Sequence, residues 1–296
     1  MKFQTLSLVV GTKACNARCP FCIGAQTGFD TTDMKEEPIN HRNLRKTLEL
    51  AKIGGVTTVI LTGKGEPTLF PQQILTYLRE LVSYNFPFIE LQTNGGILAM
   101  DEYKGRKVTD MLQEWYSLGL TTVLISNVGQ DAELNRQVYF PKQDKYFDMP
   151  ALVKKITDVG LNVRLTTVGI RGGVDSWPKL KEFINYAKQV GAKQVTWRPV
   201  GKPSEEHAAN KEIYNWVLDN CLTEIEKKTI VEEVIKHGTL VFQLVHGAAV
   251  FDLFGMNICL TNSLTRDAND ETIRQLIFFP KGGLYCDWEL RGSVLL

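Results

Sequence analysis

The sequence predicts an α/β protein built on a mostly parallel sheet, with a smaller C-terminal extension, and three observations carry that prediction. A helix-end, glycine, strand pattern recurs in GGVTTVILTG (54–63), LGLTTVLISNVG (118–129), VGLNVRLTTVG (159–169) and VGAKQVTWRPVG (190–201). Between these stretches lie apolar residues at helical spacing. Beyond residue 200 the rhythm gives way to short apolar runs punctuated by HG, FG and KGG, which read as antiparallel strands and turns.

Glycine suits a helix terminus, whereas valine, threonine and isoleucine suit a strand. A first strand is expected near 4–10 and another in FPFIELQTNG (86–95), giving about six strands through residue 200. Leu44, Leu48 and Ala51 fall at i, i+4, i+7. Pro71 suits a helix start leading into Ile74, Leu75, Leu78 and Val82, and Leu180, Phe183, Ile184, Ala187 and Val190 form another stripe. Apolar strands of this kind need helices on both faces. Periodicity leaves open whether the sheet curls or stays flat. Residues 129–150, rich in charge and aromatics with two prolines, read as a long loop, either functional or a surface insertion. The expected division is 1–200 as core and 201–296 as helices followed by strands.

Composition excludes several classes. With 34 basic and 33 acidic residues the net charge is +1, which gives no global field for nucleic acid or anionic lipid. No apolar run reaches the ~18 residues of a spanning helix, so no membrane partner is expected. The N-terminal stretch has no apolar segment of signal-peptide length, and a cytoplasmic location is expected. In a reducing compartment, clustered cysteines read as metal ligands or redox groups rather than disulfides.

Of six cysteines, Cys15, Cys19 and Cys22 lie together in KACNARCPFCIG, directly after the first strand. A loop of this spacing can wrap three thiolates around zinc or an iron–sulfur cluster. Three local ligands leave one position open, which favours a catalytic over a closed structural site. CNARCPFC resembles the CxxxCxΦC signature of the radical S-adenosylmethionine (SAM) enzymes, with Phe21 as the aromatic. LTGKGEP (61–67) is similar to that family's glycine-rich motif, with Gly63 and Gly65 admitting close backbone approach to a ligand and Glu66 matching the motif's acid; Lys64 departs from its paired glycines. Thr93 and Asn94 of LQTNG, and Ser126 and Asn127 at the fourth strand's end, match positions bordering the SAM pocket.

The resemblance implies a partial (β/α)6 barrel over roughly 4–200. It also implies a 4Fe-4S cluster on three cysteines, SAM on the fourth iron, and an electron donor such as flavodoxin or ferredoxin. A 5′-deoxyadenosyl radical then abstracts hydrogen from substrate. Arg164 and Arg198, charged residues in strands, either meet the SAM carboxylate or substrate or pair with a nearby acid. In the tail, His246, Asp252, Tyr285, Asp287 and Glu289 are candidate substrate contacts, with strand alternation setting Asp287 and Glu289 opposite Trp288. Cys259 and Cys286 read as packed apolar side chains. The arrangement is distantly similar to MoaA-like proteins, without their auxiliary-cluster cysteines. A small, nucleotide-like substrate is the leading expectation. A peptide or RNA substrate is the alternative, and a noncatalytic iron–sulfur carrier or sensor is the rival class.

Overall fold

The computed structural model describes residues 1–26, 36–201, 210–261, 271–288 and 291–296. Strand β1 (Lys2–Val9) leads through the cysteine loop into a single turn, α1 (Ile23–Gln26), and then α2 (His41–Ile53), β2 (Thr58–Thr62), α3 (Pro71–Leu81) and β3 (Phe88–Thr93). A small hairpin, β4 (Glu102–Tyr103) and β5 (Arg106–Lys107), precedes α4 (Val108–Ser117) and β6 (Thr122–Asn127). The alternation continues with α5 (Ala132–Tyr139), α6 (Met149–Asp158), β7 (Asn162–Gly169), α7 (Trp177–Gln189) and β8 (Gln194–Pro199). Strands β1, β2, β3, β6, β7 and β8 pair in that order, all parallel.

The helices cover one face of this sheet. In α2 the Asn40 side chain accepts a hydrogen bond from Asn43 N and starts the helix, while Leu44, Leu48 and Ala51 are fully buried. Trp115 of α4 and Phe183 of α7 meet the same core as Leu61, Leu91, Val123 and Leu165 of the strands. Each such side chain contributes roughly 1.5–3 kcal/mol by leaving water. The opposite face is polar, contrary to the expectation of apolar strands on both sides. Thr62, Gln92, Ser126, Thr166 and Arg198 point away from the helices into a cavity.

Residues 129–150 are not one long loop. Asp131 caps α5 by accepting from Glu133 N and Leu134 N, and Asp148 caps α6 by accepting from Ala151 N. The prolines stand outside α5 and in the first turn of α6, where proline costs no helical hydrogen bond. Tyr139 and Phe140 join Ala17 and Phe21 in a second apolar cluster, so this segment underlies the cysteine loop.

Past residue 210 come α8 (Lys211–Asn220), α9 (Glu224–His237), β9 (Thr239–Gln243), β10 (Ala249–Leu253), β11 (Met256–Leu260), β12 (Thr272–Phe278) and β13 (Leu284–Tyr285). The antiparallel pairs β9–β10–β11 and β12–β13 agree with the turn signals. They do not form a separate sheet: β11 pairs parallel with β8, and β12 pairs parallel with β1. The extension lengthens the core sheet from both edges. Those edges also meet, because His246 Nε2, between β9 and β10, lies 2.9 Å from the Thr272 carbonyl of β12. A carbonyl only accepts, so Nε2 carries the proton.

Candidate active site

Three free thiols, Cys15, Cys19 and Cys22, line a cavity of about 240 Å³ at the carboxyl ends of the parallel strands. Their loop is held from several sides. Arg18 N donates to Tyr139 O (2.8 Å), Cys22 N to Cys19 O (3.2 Å) and Ala17 N to Cys15 Sγ (3.4 Å). Phe21 sits edge-on to Tyr139 with ring centroids 6.0 Å apart and tilts against Trp216 at 5.8 Å. The aromatic of the motif is therefore a packing anchor.

Glu66 ties the three motifs together. Its Oε1 accepts from Thr68 N (3.0 Å), Thr68 Oγ1 (2.6 Å) and Thr93 Oγ1 (2.6 Å), and Oε2 accepts from Asn94 N (2.8 Å). Glu66 N donates to Ala14 O (3.0 Å), and Asn94 Nδ2 donates to Asn16 Oδ1 (2.7 Å) and reaches Cys15 Sγ (3.8 Å). Burial pushes the Glu66 carboxyl up, and these hydrogen bonds oppose the shift. The neighbouring glycines serve the same docking. A Cβ on Gly65 would stand 2.1 Å from Ala14 O, and one on Gly63 would stand 2.9 Å from Val10 O. Their clearance admits backbone at the end of β1 and in the cysteine loop, and both glycines also line the cavity. Lys64 is buried between them, its Nζ 5.3 Å from the Trp288 ring centroid, and burial pulls its pKa down to about 8.

The cavity fits the group its cysteines imply. Burial pushes the Cys15 thiol up to about 11 and Cys19 further, so neutral thiols are favoured until a cation displaces their protons. Among the described residues no three cysteine, histidine or acidic side chains converge to share one ion. Thiolates that each bind a separate iron of a cluster do not need to converge so. Beyond the sulfurs, the walls carry polar atoms without partners: Tyr139 Oη, Thr166 Oγ1 and Arg198 Nε are buried and unbonded. Such atoms are expensive in a folded chain unless a ligand satisfies them.

A second chamber of about 380 Å³ continues inward, sharing Thr62, Gly63, Lys64, Gln92, Leu124 and Arg198 with the first. Its own walls include Glu90, Arg164, His246, Cys259, Arg274 and Trp288. Arg164 takes the pairing alternative, with Nη1 2.7 Å from Glu90 Oε2 and Nε donating to Gln194 Oε1 at 2.8 Å. Burial holds the Arg198 guanidinium below its ordinary pKa.

The remaining candidates divide. Ser126 lines the outer cavity. Asn127 is buried with neither amide atom bonded, and it is not among the residues that line either cavity. His246 lines the inner chamber. Asp252 does not: it is an exposed turn residue whose Oδ1 accepts from Gly255 N at 2.8 Å. Tyr285 packs edge-on against Phe279, and the Asp287 backbone is engaged by Ser293, whose Oγ accepts from Asp287 N and donates to Asp287 O, each at 3.2 Å. Glu289 lies outside the described residues. The strand ends at Tyr285, so alternation does not extend to the residues that follow, and it is Trp288 that reaches the chamber wall. Cys259 also lines this polar chamber instead of packing in an apolar core, whereas the Cys286 thiol donates to Ser293 O (3.5 Å). Tyr139, Thr166 and Gln92 carry no motif that singles them out in the sequence, and Trp288 enters there only as the residue opposite Asp287 and Glu289. For Gln92 and Thr166 the available signal was polar residues alternating with apolar ones in IELQTN and VRLTTV.

A family model described as the Radical SAM superfamily matches residues 9–184. No curated protein matches the chain. Among solved structures, Streptococcus suis SuiB bound to S-adenosylmethionine superposes with a TM-score of 0.59 at 14% identity, over 97% of this chain and 60% of that one. Native anSMEcpe with bound AdoMet and Cp18Cys peptide gives 0.53 at 14% identity, over 79% and 59%. Methylornithine synthase (PylB) gives 0.51 at 13%, over 79% and 63%. At these identities the likeness is one of fold, and the chain spans about 60% of the length of SuiB.

Proposed function

The chain belongs to the radical SAM superfamily through residues 9–184, and from that premise we propose that it modifies a peptide or protein side chain. When bound, a 4Fe-4S cluster and SAM supply one-electron chemistry that removes a hydrogen atom from a substrate carbon. Cys15, Cys19 and Cys22 would hold the cluster through their thiolates. Glu66 fixes the cysteine loop against β2 and β3, while Tyr139, Thr166 and Arg198 offer unbonded polar atoms that orient what enters. In this reading the parallel strands form a partial (β/α)6 barrel, residues 201–296 cap it, and a flavodoxin or ferredoxin delivers the electron.

The observation that carries the peptide reading is the continuity of the two cavities. The inner chamber shares a wall with the cysteine-lined cavity, and both remain partly open to solvent. A side chain can thus reach in while its parent chain stays outside. Neighbours bound to peptides support this choice: SuiB with precursor peptide SuiA superposes at a TM-score of 0.56, and anSMEcpe with Cp18Cys peptide at 0.53. The nucleotide-like small molecule expected from sequence has less support, although methylornithine synthase is a neighbour that favours a small substrate.

The test uses deuterium. Reconstituted enzyme, SAM and reductant are incubated with perdeuterated cell extract separated into peptide, RNA and small-metabolite fractions. Deuterium is expected in 5′-deoxyadenosine from the peptide fraction. Transfer from the metabolite or RNA fraction alone overturns the peptide reading, and no 5′-deoxyadenosine under any condition overturns the enzymatic one.

A further inference from the structure

Strand β9 is the last strand of the sheet beyond β8, and among the described residues it pairs only with β10. All five of its residues are exposed, and Leu240, Val241 and Phe242 each leave about half of their surface to solvent. From Gly238 to Val245 the run GTLVFQLV carries no charge and no proline. Edge strands are ordinarily blunted by lysine, proline or a covering element, because their N–H and C=O groups template another strand. The blunting device seen here is a bulge at Val241, which stands between the pairs Leu240–Phe251 and Phe242–Val250.

Beside that edge lies an apolar groove. Helix α9 ends at His237 and β9 begins at Thr239, and Gly238 N donates to Val234 O at 2.8 Å, so a one-residue joint sets helix and strand side by side. Ile230 and Val234 anchor α9 in the same core as Phe251. Val231 and Ile235 of that helix, Leu240 of β9, Phe251 of β10 and Leu260 of β11 line a hollow of about 540 Å³. An open strand edge next to an apolar groove is how a sheet accepts an extended peptide. The peptide main chain pairs with the edge, and alternate side chains enter the groove.

The groove is continuous with the candidate active site. Strand β11 is parallel to β8, and β10 is antiparallel to both β11 and β9, so β9 points its carboxyl end the same way as the parallel strands of the core. Pro199 borders both the groove and the cysteine-lined cavity, and Thr261 borders both the groove and the inner chamber. The turn after β9 divides the two hollows: Gln243 and Gly247 line the groove, and Leu244 and His246 line the chamber. A second copy of this chain is the poorer occupant. A bulged edge of five residues offers far less than the ~1,200 Å² that a stable association buries.

We propose that β9 and α9 form a docking groove for an extended, apolar peptide segment, which adds to the sheet as a strand outside β9 and leads the residue to be modified toward the cavity. The proposal rests on the peptide reading above and names where such a substrate binds away from the reacting carbon. Apolar side chains at every second position of the segment fill the groove.

The probe is an N-acetylated, C-amidated heptapeptide in which leucine alternates with threonine, added to the full chain at up to about 1 mM. Hydrogen exchange is expected to slow at residues 239–243. Two further probes carry N-methyl groups on alternate residues, one on the odd and one on the even positions. Only one edge of an extended peptide faces β9, so one pattern is expected to weaken binding at least about tenfold and the other to leave it within about twofold. Leu240→Lys is expected to weaken the parent probe at least about tenfold. Ile225→Lys, exposed at the start of α9 and outside the groove, is expected to leave its binding unchanged. No slowing at 239–243, or equal loss from both methylation patterns, overturns the proposal. If Leu240→Lys does not fold, the two methylated probes decide the matter on the wild-type chain. Docking at β9 without deuterium transfer from the peptide fraction keeps the groove and removes the peptide-modifying reading. Transfer that Leu240→Lys does not reduce keeps that reading and overturns the groove.

Discussion

Glu66, at the cysteine end of the cavity, accepts hydrogen bonds from Thr68, Thr93 and Asn94 at both of its oxygens, whereas Arg198, where the cavity deepens, leaves a buried Nε unbonded. The two buried charges sit in one continuous hollow and serve different ends. A charge whose neighbours satisfy it fully holds the fold together, and removing it strands those neighbours. An unsatisfied charge weakens the fold and gains a partner only when a ligand arrives. The outer end is thus a scaffold for a cluster, and the inner end is a receptor.

Cutting the outer end away is the severest way to probe this contrast. Cys22→Ala removes an iron ligand and is expected to reduce both bound iron, from about four per chain, and 5′-deoxyadenosine formation to background. The fold is expected to survive, because Glu66 and not the thiol ties the loop to β3. Iron analysis and thermal unfolding on the same preparation check both halves. Unfolding of this variant would show that the two ends are not separable. Cys286→Ala, far along the tail, is the control and is expected to keep iron and turnover.

Stability offers a gentler cut. Glu66→Ala strands two backbone N–H groups and two hydroxyls, at a cost of about 3 kcal/mol, which for a chain of this length lowers Tm by roughly 6–10 °C. Arg198→Leu removes a buried cation that lacks a partner and is expected to be neutral or slightly stabilising. Thermal unfolding of the two variants side by side decides the matter. A destabilisation of Arg198→Leu equal to that of Glu66→Ala would mean that Arg198 is already satisfied within the chain.

The two ends also differ in how far they could be read from sequence. Cys15, Cys19 and Cys22 lie within eight positions, and GKGEP and TNG each end a strand, so local spacing alone marked the outer site. Even there, the reason for Gly65 was hidden, because the carbonyl it avoids belongs to Ala14, fifty-one positions earlier. The inner chamber is dispersed over Glu90, Arg164, Arg198, His246, Arg274 and Trp288. Each is a single polar or aromatic residue in an unremarkable context, and only the approach of the sheet's two flanks, marked by His246 on Thr272, makes them neighbours. Alternation in VRLTTV and VTWRPV announced a polar face but not what shares it. The helices in residues 129–150 were obscured by prolines that lie at their margins, although Asp131 and Asp148 were caps in plain view.

A third charge, on the outer surface of the scaffold, sharpens the contrast with the smallest effect. Glu133 in α5 is held by Arg136, with Nη2 donating to Oε1 at 2.6 Å and Nε to Oε2 at 2.8 Å, and hydrogen bonding draws its carboxyl down to about 2. Because the folded value lies below the unfolded one, the pair's contribution is complete above the ordinary carboxylate range and is lost as pH falls through about 2. Solvent reaches the Glu133 carboxyl and screens the pair, so Arg136→Gln is expected to change stability little at neutral pH. Carboxyl titration followed by NMR should show Glu133 returning toward its ordinary value in that variant. Helix α5 ends at Tyr139, whose carbonyl accepts from Arg18 in the cysteine loop. A measurable loss of cluster loading in Arg136→Gln would therefore place this exposed pair in the scaffold with Glu66, while unchanged loading leaves it as solvated surface.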